Sequence, residues 1–209
     1  MWNDIWQDSN QDLFFYNDLR NKLDTQSDID RKEFIQWFDK KSSQSSKKHK
    51  GQTYKKLGNI TLTPILQNYK ELVRKSNALN RFGIHSVDYW DTHEFTKELI
   101  SIFNIDVLTM CRVNCCLPKG ITSNHLDYEI HALRHYRDKI KDIKFKDIGH
   151  CLIFLEDQRM GEYFQFGGKS VSWKAGDCFT FPWYMRHGGH NQGQYPIYAT
   201  HITTFNVKV

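Results

Sequence analysis

Three side chains carry the chemistry this sequence is able to do. His125 and Asp127 stand one residue apart in the run NHLD, and His187 arrives sixty residues after Asp127 in FPWYMRHGGHN. In an extended segment, residues two apart project to the same side, so an imidazole and a carboxylate from one strand or strand end can address a single ion. A rolled-up sheet can return a third ligand from a distant strand. Two imidazoles and one carboxylate on one face of a six-coordinate ion leave three positions open, the coordination pattern of a reactive iron centre. An H-x-D triplet alone recurs by chance, and a lone strand His is usually structural. The spacing, the preceding WKAGDCFTFP and the strand-rich surroundings favour the metal. His190, three residues after His187, is the alternative third ligand. His131 and His135, four apart in HALRH, could form a helical metal pair, but no Glu takes the second position that a metalloprotease needs, and a solvated helix face is the reading there. No phosphate-cradling P-loop, G-x-G-x-x-G or G-x-S-x-G is present.

The elements that must position these residues divide into two halves. Before about residue 106 the pattern is helical. Ser27 or Asp28 can cap a helix carrying Ile29, Phe34, Ile35 and Phe38. Thr63-Pro64 is a hydroxyl cap followed by a proline whose missing N–H costs nothing, and Tyr69, Leu72 and Val73 continue the stripe towards Gly83, which can close the segment in a left-handed conformation. Asp91 with Glu94 resembles a capping box opening a helix with Phe95, Leu99, Ile102 and Phe103 on its apolar face. After residue 106 come short β-branched and aromatic runs: DVLTMCRVNCCL, HCLIFLED, GEYFQF, KSVSW, DCFTFPW and YPIYATHITTFNVKV. Gly167-Gly168 is a hairpin turn signal, and KAGD at residues 174 to 177 is a second tight turn. Many short strands between Gly turns predict a barrel or jelly roll, interrupted by one charged excursion at residues 134 to 147. The expected division is a helical extension over 1–105 and a β core over 106–209, folding as one unit.

Composition sets wider bounds. The 209 residues are enough for a substantial core, and 14 Phe, 10 Tyr and 6 Trp argue against global disorder. The net charge of +5 permits an anionic partner without requiring one. Part of it sits in Lys47, Lys48, Lys50, Lys55 and Lys56, which read as a solvated loop; a nucleic-acid-binding arm is the alternative, and no recognised motif supports it. The five cysteines are odd in number and contain no C-x-x-C, and the first residues are acidic, so the expectation is reduced thiols in a cytoplasmic protein. No apolar stretch approaches the ~20 residues of a membrane span.

From MCRVNCCLPKGITSNHLD to FPWYMRHGGHN and ATHITTF, the sequence resembles the catalytic core of the 2-oxoglutarate/Fe(II)-dependent oxygenase superfamily, in particular its prolyl-hydroxylase-like and phage-encoded members. The matching features are His125, Asp127, the turn Ala175-Gly176-Asp177, the strand end Phe179-Thr180-Phe181-Pro182 and His187. They cover roughly the last hundred residues. The resemblance implies a mainly β fold with a helical buttress: a double-stranded β-helix, or cupin-like jelly roll, preceded by N-terminal helices. It implies Fe(II) held by His125, Asp127 and His187, 2-oxoglutarate as cosubstrate, and hydroxylation of a C–H bond. The expected substrate is a protein or peptide side chain, with a small molecule or a nucleobase next, and the setting is the cytoplasm, that of a host if the chain is phage-encoded. One feature departs from the family. An Arg or Lys about nine to fourteen residues after the distal His usually pairs with the far carboxylate of 2-oxoglutarate, and here that window holds Ile197, Tyr198, Thr200 and His201. Because an unpaired buried charge is costly, Tyr198, a protonated His201 or Arg112 from the strand before H-x-D must serve instead. Arg186 and Lys174 are poorer candidates because they border turns. Trp173, Trp183 and Tyr184 either line the substrate mouth or pack in the core. The alternative function is a non-catalytic cupin-like protein that binds metal or ligand without the cosubstrate.

Overall fold

The computed structural model describes residues 55–62, 68–74, 82–125, 127, 132, 135–136, 138–139, 148–182 and 185–208. The readings at Ser27, Asp28, Lys47 to Lys50, Thr63-Pro64, His131, Trp183 and Tyr184 lie outside these residues. Ten strands are described: β1 (Lys55–Asn59), β2 (Ile84–Tyr89), β3 (Val107–Cys116), β4 (Ile121–His125), β5 (Ile148–Phe154), β6 (Glu162–Phe166), β7 (Lys169–Val171), β8 (Asp177–Pro182), β9 (His187–Asn191) and β10 (Ile197–Lys208), with two helices, α1 (Tyr69–Arg74) and α2 (Glu94–Phe103). They form a six-stranded sheet in the order β1-β8-β5-β10-β3-β2 and a four-stranded sheet in the order β4-β9-β6-β7. All pairings are antiparallel. Two antiparallel sheets with strands alternating between them make the double-stranded β-helix, a cupin-like jelly roll.

The alternation of side chains across the large sheet sorts its residues into two cores. Cys111, Val113, Cys115, Cys151, Ile153, Cys178 and Ile202 face outwards and bury under α1 and α2 with Tyr69, Val73, Phe95 and Leu99. Leu152, Phe154, Phe179, Phe181 and Ala199 face inwards, against Phe166 and Trp173. β5 is buried along its whole length because it has a core on each side. Trp173 is therefore a core residue, stacked on Phe154 with ring centroids 4.1 Å apart, and does not line a mouth.

Both glycine turns form as expected. Gly167 and Gly168 take φ of 56° and 81° between Phe166 and its partner Lys169, and Gly176 takes 85° in the KAGD turn. Other expectations need correction. β1 and β2 lie in the stretch that reads as helical, and they extend the large sheet across residue 106. Their sequences, KKLGN and IHSVDY, are short and mixed in polarity because each occupies a sheet edge. The cap of α2 is His93, whose Nδ1 accepts from the Phe95 N–H at 3.1 Å. Asp91 sits too early to cap and instead accepts from the Tyr136 hydroxyl at 3.0 Å. Gly83 is left-handed, with φ of 74°, but it leads into β2.

Candidate metal centre and its cavity

His125 ends β4 and His187 opens β9, and the two are direct partners across the small sheet. The preceding pair is Thr122 with Gly189, so β4 holds one extra residue between the pairs. That bulge re-aims the strand, bringing His125 rather than Asn124 opposite His187. His187 begins its own strand; it does not simply trail the strand DCFTFPW. Asp127 follows the end of β4. The three residues offer ligand atoms within 4.8 Å of one another. His125 Nε2 lies 3.5 Å from Asp127 Oδ1, and His187 Nε2 lies 3.2 Å from Asp127 Oδ2.

Hydrogen bonding on the far side of each ring decides what those nitrogens can do. His125 Nδ1 is 2.7 Å from the Ser123 carbonyl, and His187 Nδ1 is 3.1 Å from the Met185 carbonyl. A carbonyl only accepts, so each Nδ1 donates and each neutral ring leaves a lone pair on Nε2. Those lone pairs face a carboxylate whose Oδ2 is buried with no hydrogen bond. A metal ion seated between them would satisfy lone pairs that face a carboxylate at 3.2 and 3.5 Å, as would a proton on either ring. Adjacent ligands ~2.1 Å from a common ion stand about 3 Å apart, so the residues fit a divalent metal.

The electrostatics agree. Burial raises the Asp127 pKa, but the imidazoles of His187, His201 and His125 gathered around the carboxylate outweigh it, holding the carboxyl well below its usual range. Burial alone would lower the His125 pKa; the Asp127 carboxylate and the Ser123 carbonyl reverse it, and the net shift is upward.

A cavity of about 460 Å³ opens beside the triad. It places several predicted residues together. Arg112 reaches it from β3, its Nε donating to Asp88 Oδ1 at 2.6 Å. Arg186 also lines it, although its place beside a turn made it a poorer candidate. His201, the register partner of Arg112, faces the same interior. Burial pushes the pKa of His201 well below 6.5, so it stands neutral and supplies no cation. Tyr198 is three residues from His201 and therefore on the opposite face. It packs outside the barrel against Tyr69, with ring centroids 4.9 Å apart, and cannot hold a cosubstrate in the cavity. His190 is likewise on the opposite face of β9 from His187; it borders the cavity and stacks on Tyr163 at 4.9 Å. Lys174 pairs with Asp157 on an exposed turn. His135 stacks on Trp90 at 3.9 Å.

Sequence reasoning missed His150. It is the third residue of β5, its side chain fully buried, and its Nδ1 lies 2.9 Å from His201 Nε2. Its alternation with the inward-facing Leu152 and Phe154 is the signal that could have placed it inside. Asp88 as partner of Arg112 was also missed, because β2 read as helical surroundings.

No protein-family profile and no curated protein sequence matches the chain. Among solved structures, it is similar to a cupin 2 conserved barrel domain protein from Salinispora arenicola, with 12% identity, 71% of this chain and 92% of that one covered, and a TM-score of 0.39. A predicted oxalate decarboxylase from Thermotoga maritima matches at 13% identity over 58% of this chain and 80% of that one, TM-score 0.36. A mutant of salicylate 1,2-dioxygenase from Pseudoaminobacter salicylatoxidans matches at 12% identity over 68% of this chain and 32% of that one, TM-score 0.37. These likenesses concern the β fold; what the site does is argued from the chain's own residues.

Proposed function

We propose that this protein is an Fe(II)- and 2-oxoglutarate-dependent oxygenase that hydroxylates a C–H bond. The observation that carries the reading is the convergence of two imidazole lone pairs, each fixed by a carbonyl behind it, on the orphaned carboxylate of Asp127. His125, Asp127 and His187 would hold the metal. When bound, iron and 2-oxoglutarate supply the oxidising chemistry: dioxygen provides the hydroxyl oxygen and oxidatively decarboxylates the cosubstrate to succinate and CO2. The chain's part is to fix the ligands, exclude water and orient two organic molecules in the adjoining cavity. Arg112 is the group for the far carboxylate of 2-oxoglutarate, since it lines the cavity in register with His201 at the position where the family's basic residue is missing. The substrate is a protein or peptide side chain in the first instance, for which the exposed Phe82 and Ile121 bordering the cavity offer apolar contact.

Anaerobic titration of the Fe(II)-loaded protein with 2-oxoglutarate tests this. The expected result is a visible metal-to-ligand charge-transfer band, lost in Asp127→Ala, with succinate formed on admitting oxygen. Absence of both the band and 2-oxoglutarate binding sinks the proposal. One observation favours the second reading, a cupin-like binding protein without turnover: Arg112 is already engaged by Asp88. Metal binding without the band supports that reading.

A further inference from the structure

Asp127 lies past the end of β4, beyond the paired backbone that aligns His125 with His187. Its carboxylate must therefore be oriented by what packs against it. Around its Oδ2 stand His187 Nε2 at 3.2 Å, His201 Nε2 at 3.6 Å and His150 Nδ1 at 3.9 Å. The His150 and His201 nitrogens are 2.9 Å apart. Their rings are nearly coplanar, 20° apart with centroids 4.9 Å from each other, which is the arrangement of an in-line N–H···N hydrogen bond. The pair is a diagonal contact across neighbouring strands: His201 is opposite Leu152 and His150 is opposite Thr203. Phe181 stacks on both rings, with centroids 5.6 and 5.7 Å away, fixing their plane. A buried imidazole without a partner is costly, so two of them hydrogen-bonded in an aromatic interior form a stiff unit.

We propose that His150 and His201 are a positioning pair, packed against Asp127 Oδ2, which hold the carboxylate in its ligating orientation. The proposal rests on the metal reading above. It also accounts for His201 standing where the resembled family keeps a cation: the position serves the metal ligand, and the cosubstrate's cation comes from the neighbouring strand. The alternative use of the same atoms is a second ion, because Asp127, His150 and His201 also offer ligand atoms within 4.8 Å. Two lone pairs converging on an ion would have to bend towards it, whereas these rings point along the line joining their nitrogens.

Isosteric substitution separates positioning from mere packing. Asn places a polar atom where Nδ1 of His stands, and Gln places one where Nε2 stands. The matched variants His150→Asn and His201→Gln keep the contact, while the swapped variants His150→Gln and His201→Asn displace it. The readout is the affinity of the full chain for Co(II), measured from its visible absorption, with thermal unfolding followed in parallel. Swapped variants are expected to lose 10- to 100-fold in affinity, the usual effect of removing a group that supports a ligand, and matched variants to stay within a few-fold of wild type. Equal affinity in matched and swapped variants overturns the pair while leaving the metal site standing. Two ions per wild-type chain, falling to one in His150→Asn, overturns it in favour of a second metal position. A wild type that binds no ion overturns both readings.

Discussion

An arginine that meets a carboxylate in a partly closed cavity acts through charge-assisted hydrogen bonds, each worth about 1.5–3 kcal/mol. If Arg112 receives 2-oxoglutarate, Arg112→Ala raises the half-saturating 2-oxoglutarate concentration by ~10- to 100-fold in the charge-transfer titration, with Co(II) affinity unchanged. Asp88, its partner, is one-fifth exposed, so water takes up the freed carboxylate and the fold persists. Tyr198→Phe has no effect on the same titration, because the ring lies outside the barrel. An unchanged value for Arg112→Ala removes that residue from the cosubstrate site. That His125, Asp127 and His187 could meet at one point was legible from their types, their spacing and the strand-rich context. Tyr198 was not placed, because a window of sequence does not say which alternate residues of a strand face inwards when both faces are buried.

At the scale of elements, the KAGD turn ties the edge of the barrel together. Ile60 N–H donates to the Gly176 carbonyl at 2.9 Å, and a Cβ on Gly176 would stand 2.2 Å from the Ile60 carbonyl oxygen. With φ at 85° as well, Gly176→Ala is strained twice. The expected loss is about 2 kcal/mol, read by chemical denaturation, and no loss would show that β1 detaches freely. Asp177 closes the same turn. Burial raises its pKa, but hydrogen bonds from the Lys56 ammonium and the Lys174 N–H outweigh that, and the net shift is below 3.8. A folded pKa below the unfolded value stabilises the protein above the unfolded value, and the contribution is lost as pH falls through the folded one. Wild type is therefore more stable than Asp177→Asn at neutral pH, and the gap closes below pH 3.8 in matched unfolding titrations. A gap independent of pH contradicts this. The turn itself was readable, since glycine alone admits a positive φ at no steric cost. Its partner strand β1 was not, because KKLGN has no periodicity of its own and becomes a strand only by pairing with β8.

Over the whole molecule, the outer core between the large sheet and the helices holds four of the five cysteines, Cys111, Cys115, Cys151 and Cys178. All five thiols are free. Burial pushes the pKa of Cys111 up to about 12, Cys115 to about 11 and Cys116 to about 12, so little thiolate forms at pH 8. A chromogenic disulfide reagent should label the native protein slowly, at the rate of unfolding, with Cys116, the least buried, reacting first. Rapid labelling of several thiols in the native state would mean that the helical cover opens. Among the described residues, no helix is long and apolar enough to cross a membrane.

The sequence by itself determined which atoms are available as ligands, where the turns must fall, and that the second half is built of short strands. These are local properties, set by side-chain chemistry, by φ restrictions at glycine and by β-branched composition. Tertiary structure decided the rest. The extra residue in β4 turns His125 towards His187, and the order of strands brings β5 beside β10 so that His150 meets His201. Pairing on β3 carries β2 and Asp88 to Arg112. Each of these joins residues far apart in the chain, and their physical cause, the register and facing of strands in two packed sheets, exists only once the barrel has closed.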